Sequence, residues 1–78
     1  MLSKDQIEEM LDNNEELTSS QAAQALGLTR LTVLRYLRTG ILEGRKVGLG
    51  VVRYDWRARS SSVRRLRQVM EEKYGTPA

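Results

Sequence analysis

The sequence predicts a mainly α-helical single domain with four short helices and one small β-hairpin. Apolar residues recur at helical spacing in four segments, and a Ser or Thr able to cap a helix precedes or opens each of them. The motif Gly48-Leu49-Gly50 divides two runs suited to β-strands. Because 78 residues are near the lower limit for a core without disulfides or metals, we expect one domain over residues 1–78.

The first segment, residues 1–16, is predicted to be an acidic packing helix. Ser3 and Gln6 form a capping-box pattern, in which each side chain bonds the backbone N–H of the other residue. Ile7 and Leu11 then fall on one face, while the acidic residues face outward. The asparagines at positions 13 and 14 are suited to end this helix.

Residues 18–40 carry the pattern of a helix-turn-helix. Thr18 and Gln21 repeat the capping box at the start of a second helix. Gly27 follows that helix as a residue suited to the left-handed conformation. Thr29 is expected to cap a third helix, which runs to about residue 38. Because helices joined so tightly cannot lie antiparallel, we expect them to cross steeply.

Residues 43–54 are predicted to form a two-stranded wing, and residues 61–74 a last helix that packs back on the core. A nucleotide loop is not expected at Gly48-Leu49-Gly50, since such loops need a longer glycine pattern that leads into a helix. Tyr54 and Trp56 are predicted to close the core at the end of the wing. The serines before the last helix are predicted to cap it.

The composition argues against several classes of protein. The chain has no Cys and no His, so it lacks disulfides, the usual zinc ligands and a Ser-His or Cys-His nucleophile system. We therefore expect no enzymatic activity and no cofactor. No apolar run is long enough to span a bilayer, and no basic segment followed by an apolar one opens the chain. The expected location is the cytoplasm.

The charges are distributed unevenly along the chain. Residues 1–17 hold six carboxylates and one lysine, a net charge of −5. Residues 18–70 hold ten arginines and one lysine against two carboxylates, a net charge of +9. Basic charge concentrated in the helix-turn-helix and the segments after it favours a polyanion as partner, and double-stranded DNA is the partner we expect.

The outer face of the third helix is the expected DNA-reading surface. Arginine there pairs with guanine O6 and N7 or binds a phosphate; we expect base reading from Arg30 and Arg35 and a phosphate contact from Arg38. Leu31 and Leu34 are unusual on such a face. They would touch thymine methyl groups or a protein partner, and for Leu34 partial burial under the wing is a third possibility.

Further contacts are expected from the start of the second helix, the wing and the last helix. Helix N-termini bring backbone N–H groups toward phosphates, and basic side chains of the wing would reach the backbone or the minor groove. The predicted DNA-binding residues are Thr18, Ser19, Ser20, Arg30, Leu31, Thr32, Leu34, Arg35, Arg38, Arg45, Lys46, Arg53, Arg64 and Arg65.

Arg64 and Arg65 fall in the first turn of the last helix, and Glu71 and Glu72 fall in its last turn. This is the reverse of the order that the helix dipole favours. The two arginines would instead form a second phosphate contact, or meet an acidic surface such as the first helix of another copy. Ordinary surface charge is the third interpretation.

Residues 28–42, Leu-Thr-Arg-Leu-Thr-Val-Leu-Arg-Tyr-Leu-Arg-Thr-Gly-Ile-Leu, resemble the winged helix-turn-helix modules of MerR-type regulators and phage excisionases. The resemblance covers residues 17 to about 70. It implies that the third helix enters the major groove, that the wing lies against the backbone or minor groove, and that several copies act side by side. Leu34, at a position that is often Arg in these families, and Leu49-Gly50-Val51, in place of a more basic wing tip, depart from the pattern.

The resemblance favours the excisionase type, since nothing after Tyr74 matches the dimerisation helix and effector domain of MerR-type regulators. It implies a nucleoid-associated protein that binds adjacent sites cooperatively and bends DNA to direct integrase-mediated excision. The implied partners are DNA, a phage integrase and further copies of the chain, with no membrane and no small-molecule effector. The alternatives are a small transcriptional repressor and a winged-helix adaptor such as a small terminase subunit.

Overall fold

Four helices and a three-stranded antiparallel sheet make up the part of the chain that the computed structural model describes, residues 2–48, 50 and 54–74. In chain order the elements are α1 (Lys4–Asp12), β1 (Leu17–Thr18), α2 (Ser19–Leu26), α3 (Arg30–Thr39), β2 (Gly44–Gly48), β3 (Tyr54–Ala58) and α4 (Ser60–Tyr74). The four predicted helices are confirmed: α1 is shorter than the predicted segment 1–16, and the other three lie within one or two residues of the expected bounds. None of the described helices has the length and apolar character needed to cross a bilayer.

The predicted caps of the first three helices are confirmed. Ser3 and Gln6 exchange both hydrogen bonds of a capping box before α1, and Thr18 and Gln21 do the same before α2. The Thr29 hydroxyl accepts a hydrogen bond from a backbone N–H in the first turn of α3. These bonds satisfy donors that have no partner inside the helix, which fixes where each helix begins.

The turn between α2 and α3 is as tight as the sequence predicts. Gly27 takes the left-handed conformation, with φ 67°. The backbone N–H of Leu28 returns to the carbonyl of Ala23 over 3.0 Å, and α3 begins at Arg30. A side chain at position 27 would be strained by the positive φ, although nothing lies within 4 Å of its Cβ.

The first helix ends in a similar way with an asparagine. Asn14 has φ 56°, its N–H bonds the carbonyl of Leu11 over 3.2 Å, and the N–H of Glu15 bonds that of Met10 over 2.9 Å. This pair of bonds is a Schellman motif, for which asparagine is the usual substitute for glycine. The predicted helix stop at positions 13 and 14 is confirmed.

The sheet is larger than predicted. A two-stranded wing ending at Tyr54 was expected, but β3 runs on to Ala58 and lies between β2 and β1 in the order β1-β3-β2. The short strand β1 pairs Leu17 with Ala58 and Thr18 with Arg57. The prediction was wrong here because β1 is only two residues long and forms only where β3 offers it a ladder. The predicted turn around Leu49 and residues 51–53 lies outside the described residues.

The two aromatic residues of β3 differ in how far they are buried. Trp56 is half-buried and packs against the core, as predicted, whereas Tyr54 is 59% exposed. The core prediction for Tyr54 is therefore wrong. Tyr54 pairs with Gly48, two residues beyond Trp56 toward the tip of the hairpin.

A single core joins all four helices to the base of the sheet. Its buried apolar members are Ile7, Leu11, Leu17, Ala22, Ala23, Leu26, Val33, Leu37, Leu42, Ala58 and Val63. Along α4 the burial decreases: Val63 is fully buried, Leu66 and Met70 are half-buried, and Val69 is 41% exposed. Val69 thus lies outside the buried face of α4, although it is an apolar residue.

Two of the serines that open α4 form hydrogen bonds to other segments of the chain, which the sequence did not indicate. Ser60 is buried and its hydroxyl donates to the carbonyl of Glu15. Ser62 is also buried, and its hydroxyl accepts a hydrogen bond of 2.9 Å from the backbone N–H of Glu43. Rather than capping their own helix, these two side chains tie α4 to the segments that precede β1 and β2.

Candidate nucleic-acid interface

The outer face of α3 carries all three basic residues of this helix. Because residues four apart stack along a helix, Arg30, Leu34 and Arg38 form one row and Leu31 and Arg35 another. The three arginines are exposed, and Leu31 is 77% exposed. Leu34 is half-buried, so the predicted pair of exposed leucines reduces to Leu31. Val33 and Leu37 face the core on the opposite side, as predicted.

The guanidinium groups of Arg35 and Arg38 have no polar partner among the described residues. Neither forms a hydrogen bond or an ion pair through its side chain with any residue that the structure describes. Arg38 also lies in the last turn of α3, where a positive charge is favourable for the helix dipole. Both groups therefore keep all their donors available to an external acceptor.

Arg30 differs because partners from two other elements contact it. Its Nε donates to the Ser19 hydroxyl over 3.1 Å, and its Nη2 lies 4.0 Å from a carboxylate oxygen of Asp55. Asp55 also pairs with Arg57 over 3.3 Å. Sequence inspection missed Asp55, which follows Arg30 by 25 residues and approaches it only through the folded sheet.

The three residues predicted as phosphate contacts at the start of α2 differ in the exposure of their side chains. Ser19 is 1% exposed, and its hydroxyl accepts the bond from Arg30, so this side chain is withheld from a ligand. Thr18 is half-buried and caps the helix, whereas Ser20 is exposed. Thr32, also predicted as a contact, is half-buried and places its hydroxyl 2.9 Å from that of Thr29.

Both described cations of β2 have partners within the chain. Arg45 forms a bidentate ion pair with Glu16, with N–O distances of 2.8 and 2.7 Å. The hydrogen bonds from Arg45 lower the pKa of the Glu16 carboxyl. The Lys46 ammonium lies 4.6 Å from the ring centroid of Tyr54 and 5.5 Å from that of Trp56, which is cation–π distance. The predicted contact Arg53 lies outside the described residues.

The arginines of α4 divide into those that contact α1 and one that does not. Arg64 donates to the carbonyl of Leu11 and, over 2.8 Å, to the side-chain oxygen of Asn14. Arg67 forms a two-point ion pair with Glu8. Arg64 thus meets two neutral oxygens at the C-terminal end of α1 in its own chain, whereas Arg67 meets a carboxylate of that helix. Arg65 is exposed and has no side-chain partner among the described residues.

Sequence inspection also passed over Arg67. A signal was available, because Arg67 lies three residues after Arg64 and so shares its face of α4. If one arginine of that face contacts an acidic helix, the other is within reach of it as well.

Comparison with known proteins adds no relative: no family model, no curated protein and no solved structure matches this chain. Among the residues with a described position, no cluster of three or more acidic side chains could hold a metal ion.

Proposed function

We propose that this protein is a sequence-specific, double-stranded DNA-binding domain in which α2 and α3 act as a helix-turn-helix and the β2–β3 hairpin as its wing. One observation carries the proposal. Arg35 and Arg38 stand exposed on one face of α3 without a described partner, while Arg45, Arg64 and Arg67 are each engaged inside the fold. In this proposal α3 is the reading helix.

The dimensions and chemistry of α3 suit the major groove. Its 10 residues make a cylinder about 15 Å long, and the major groove of about 12 Å admits one helix. Arginine supplies donors for guanine or phosphate, and Leu31 an apolar contact for a thymine methyl group. The N-terminus of α2, with the exposed Ser20, is suited to a neighbouring phosphate.

The biological role we propose within this class is that of an excisionase-type architectural protein, without enzymatic activity. Several copies would occupy adjacent sites and bend the DNA, to direct an integrase toward excision. A small repressor would bind in the same way to a different arrangement of sites. Footprinting of the DNA that flanks the gene separates the two, since evenly phased repeats indicate the architectural role and a lone palindrome indicates a dimeric repressor.

An adaptor that docks on another protein is the second candidate. The observation that favours it is Leu31, which is 77% exposed near the start of the outer face of α3. An apolar side chain so placed contributes as readily to a protein contact as to a thymine contact. The two candidates differ in whether the chain binds DNA on its own.

The test is a fluorescence-anisotropy titration of a labelled duplex at two salt concentrations. Each phosphate contact contributes about −0.9 to the slope of log affinity against log salt. The double variant Arg35→Ala/Arg38→Ala should weaken binding strongly, because it removes both unpartnered cations of α3. The matched control is Lys4→Ala/Lys73→Ala, which removes the same charge from exposed positions on α1 and α4.

Equal losses in the two double variants would show a nonspecific charge effect and contradict an α3 interface. Absence of wild-type binding at low salt would favour the adaptor. For Arg35→Ala alone, we expect a loss of about 1–3 kcal/mol on a specific site, with relaxed base preference, if Arg35 reads guanine. Equal weakening on all sequences would assign Arg35 to a phosphate.

A further inference from the structure

Arg30 lies where three elements meet. It is the first residue of α3, and its guanidinium contacts Ser19 at the start of α2 and Asp55 in β3. Its side chain is nevertheless 55% exposed. A long, flexible side chain is thus held at its charged end while it stays open to solvent.

The two contacts differ in kind: Nε donates a hydrogen bond to Ser19, whereas Asp55 lies 4.0 Å from Nη2, beyond hydrogen-bond distance, and acts through its charge. Nε and Nη2 point their hydrogens to the same side of the group, and the Arg45–Glu16 pair uses these two nitrogens for its bidentate contact. In Arg30, Ser19 accepts from Nε, and this edge is therefore in use. Nη1 and Nη2 donate no hydrogen bond to any described residue, so the edge that they form keeps the paired geometry that guanine O6 and N7 require.

The two partners are themselves fixed. Ser19 is 1% exposed in the first turn of α2. The side-chain oxygens of Asp55 accept a 2.8 Å hydrogen bond from the backbone N–H of Trp56 and a 3.3 Å bond from Arg57. Arg30 is therefore oriented by groups that do not move freely, which reduces the rotamer entropy that it would lose on binding.

The charge of Asp55 also affects which ligand Arg30 prefers. A carboxylate beside the guanidinium opposes the approach of a phosphate, which is an anion, but has less effect on the neutral acceptors of a guanine edge. Arg35 and Arg38 have no such neighbour among the described residues. Of the three arginines on α3, Arg30 is thus the one biased against phosphates and toward bases.

We propose that Ser19 and Asp55 are positioning residues that present the free edge of Arg30 to a base pair, and that Arg30 sets sequence specificity at that pair. The inference rests on the proposed DNA-binding function. It goes beyond that function by assigning specificity to one side chain and its orientation to two residues that lie outside α3.

The experiment compares Asp55→Asn with wild type on two duplexes. One is obtained by selection from a random-sequence pool with the wild-type protein, and the other is a scrambled version of it. Asn keeps the size of Asp and an oxygen for the Trp56 N–H, but removes the charge. We expect the ratio of specific to nonspecific affinity to fall by about tenfold, within the range of one base contact, while nonspecific affinity stays equal or rises.

A double-mutant comparison separates positioning from general structure. In an Arg30→Ala background, Asp55→Asn should leave the ratio unchanged, because the group that it positions is gone. Selection repeated with Asp55→Asn should lose base preference at the same pair as selection with Arg30→Ala. Ser19→Ala tests the same edge through the other partner, and Asp5→Asn is the control for loss of one negative charge at an exposed site.

An unchanged ratio in both Asp55→Asn and Ser19→Ala, with wild-type binding intact, overturns this inference alone. An effect of Asp55→Asn that persists in the Arg30→Ala background overturns it as well, and assigns Asp55 to the sheet. If the wild-type protein binds no duplex at low salt, the proposed function fails and the inference fails with it.

Discussion

The contact between α1 and α4 and the outer face of α3 are both rich in arginine, but they use it in opposite ways. On α4, Arg64 and Arg67 direct their guanidinium groups into α1. On α3, Arg35 and Arg38 meet no described partner. Fold-stabilising and available arginines therefore differ in the acceptors around them. Two ion pairs, Arg45–Glu16 and Arg67–Glu8, join the acidic first segment of the sequence to its basic part.

The position of Arg64 gives a structural reason for an arginine near the start of α4. Arg64 is the fifth residue of α4, which begins at Ser60, so it lies beyond the first turn, where the expected conflict with the dipole of α4 would act. Its guanidinium lies at the C-terminal end of α1, where unpaired carbonyls make the helix end negative. It bonds there to Leu11 and to Asn14, the left-handed residue of the Schellman motif. A side chain of α4 thus stabilises the end of α1.

The largest effect within this comparison is expected from Arg64→Ala. The substitution leaves the carbonyl of Leu11 without its charged donor and releases the side chain of Asn14. Hydrogen bonds to charged groups contribute about 1.5–3 kcal/mol, and we expect a loss of that order in the free energy of unfolding. Urea denaturation followed by circular dichroism measures it. DNA affinity of the folded fraction should not change.

Arg65→Ala is the matched control for Arg64→Ala. The two residues are adjacent and carry the same charge, but Arg65 is exposed and has no described side-chain partner. Its substitution should change stability by less than about 0.5 kcal/mol. Similar stability losses in the two variants would contradict the structural role of Arg64. A loss of DNA affinity in Arg65→Ala would instead support the prediction that Arg65 binds phosphate.

The parts of the fold that the sequence predicts are those set by neighbours in the chain. Each capping box joins residues three apart. Gly27 ends α2 because its own backbone takes the left-handed conformation. The extension of β3 to Ala58 has a different origin. It depends on Leu17 and Thr18 arriving beside β3, and a two-residue strand leaves no periodic pattern to detect.

The same distinction applies to the candidate interface. Helical periodicity placed Arg35, Arg38 and Leu31 on the outer face of α3, and they are exposed there. It could not show that Arg45 is bound by Glu16, 29 residues away, or that Ser19 lies under Arg30. Which basic residues stay available is decided by tertiary contacts, and these are not encoded in the spacing of any one helix.

A smaller effect is expected when Arg45 is released from its ion pair with Glu16. Glu16→Gln removes the carboxylate that binds Arg45 in two places, so the sheet gains an unpartnered guanidinium like those of α3. We expect stronger nonspecific DNA binding and a salt slope that steepens by up to about 0.9, the value of one phosphate contact. Anisotropy titration at several salt concentrations measures both quantities.

Glu15→Gln separates the release of Arg45 from a simple change in net charge. Glu15 is exposed and its side chain has no partner among the described residues, so this variant removes one negative charge without freeing an arginine. It should raise nonspecific affinity less and leave the salt slope nearly unchanged. Equal slopes in the two variants would mean that Arg45 does not reach DNA even when released.

The smallest effect concerns the pH dependence of the α1–α4 contact. Hydrogen bonds from Arg67 lower the pKa of Glu8 below its ordinary value of 4.5. Because the folded-state pKa is the lower one, the stabilisation is present above pH 4.5 and is lost as the pH falls through the folded-state pKa. The Glu8 side chain is 39% exposed, so solvent screening limits the contribution to at most about 1 kcal/mol.

Urea denaturation of wild type and Glu8→Gln across this range tests the effect. The variant should be less stable at neutral pH, and the two curves should converge at acid pH, where Glu8 is protonated and no longer pairs with Arg67 as an ion. Glu9→Gln, at the exposed neighbouring position, should follow wild type throughout. A stability difference between wild type and Glu8→Gln that is constant with pH would mean that Glu8 acts by packing rather than by charge. Arg67 would then resemble Arg35 and Arg38 of α3, in that no carboxylate charge would stabilise its guanidinium group.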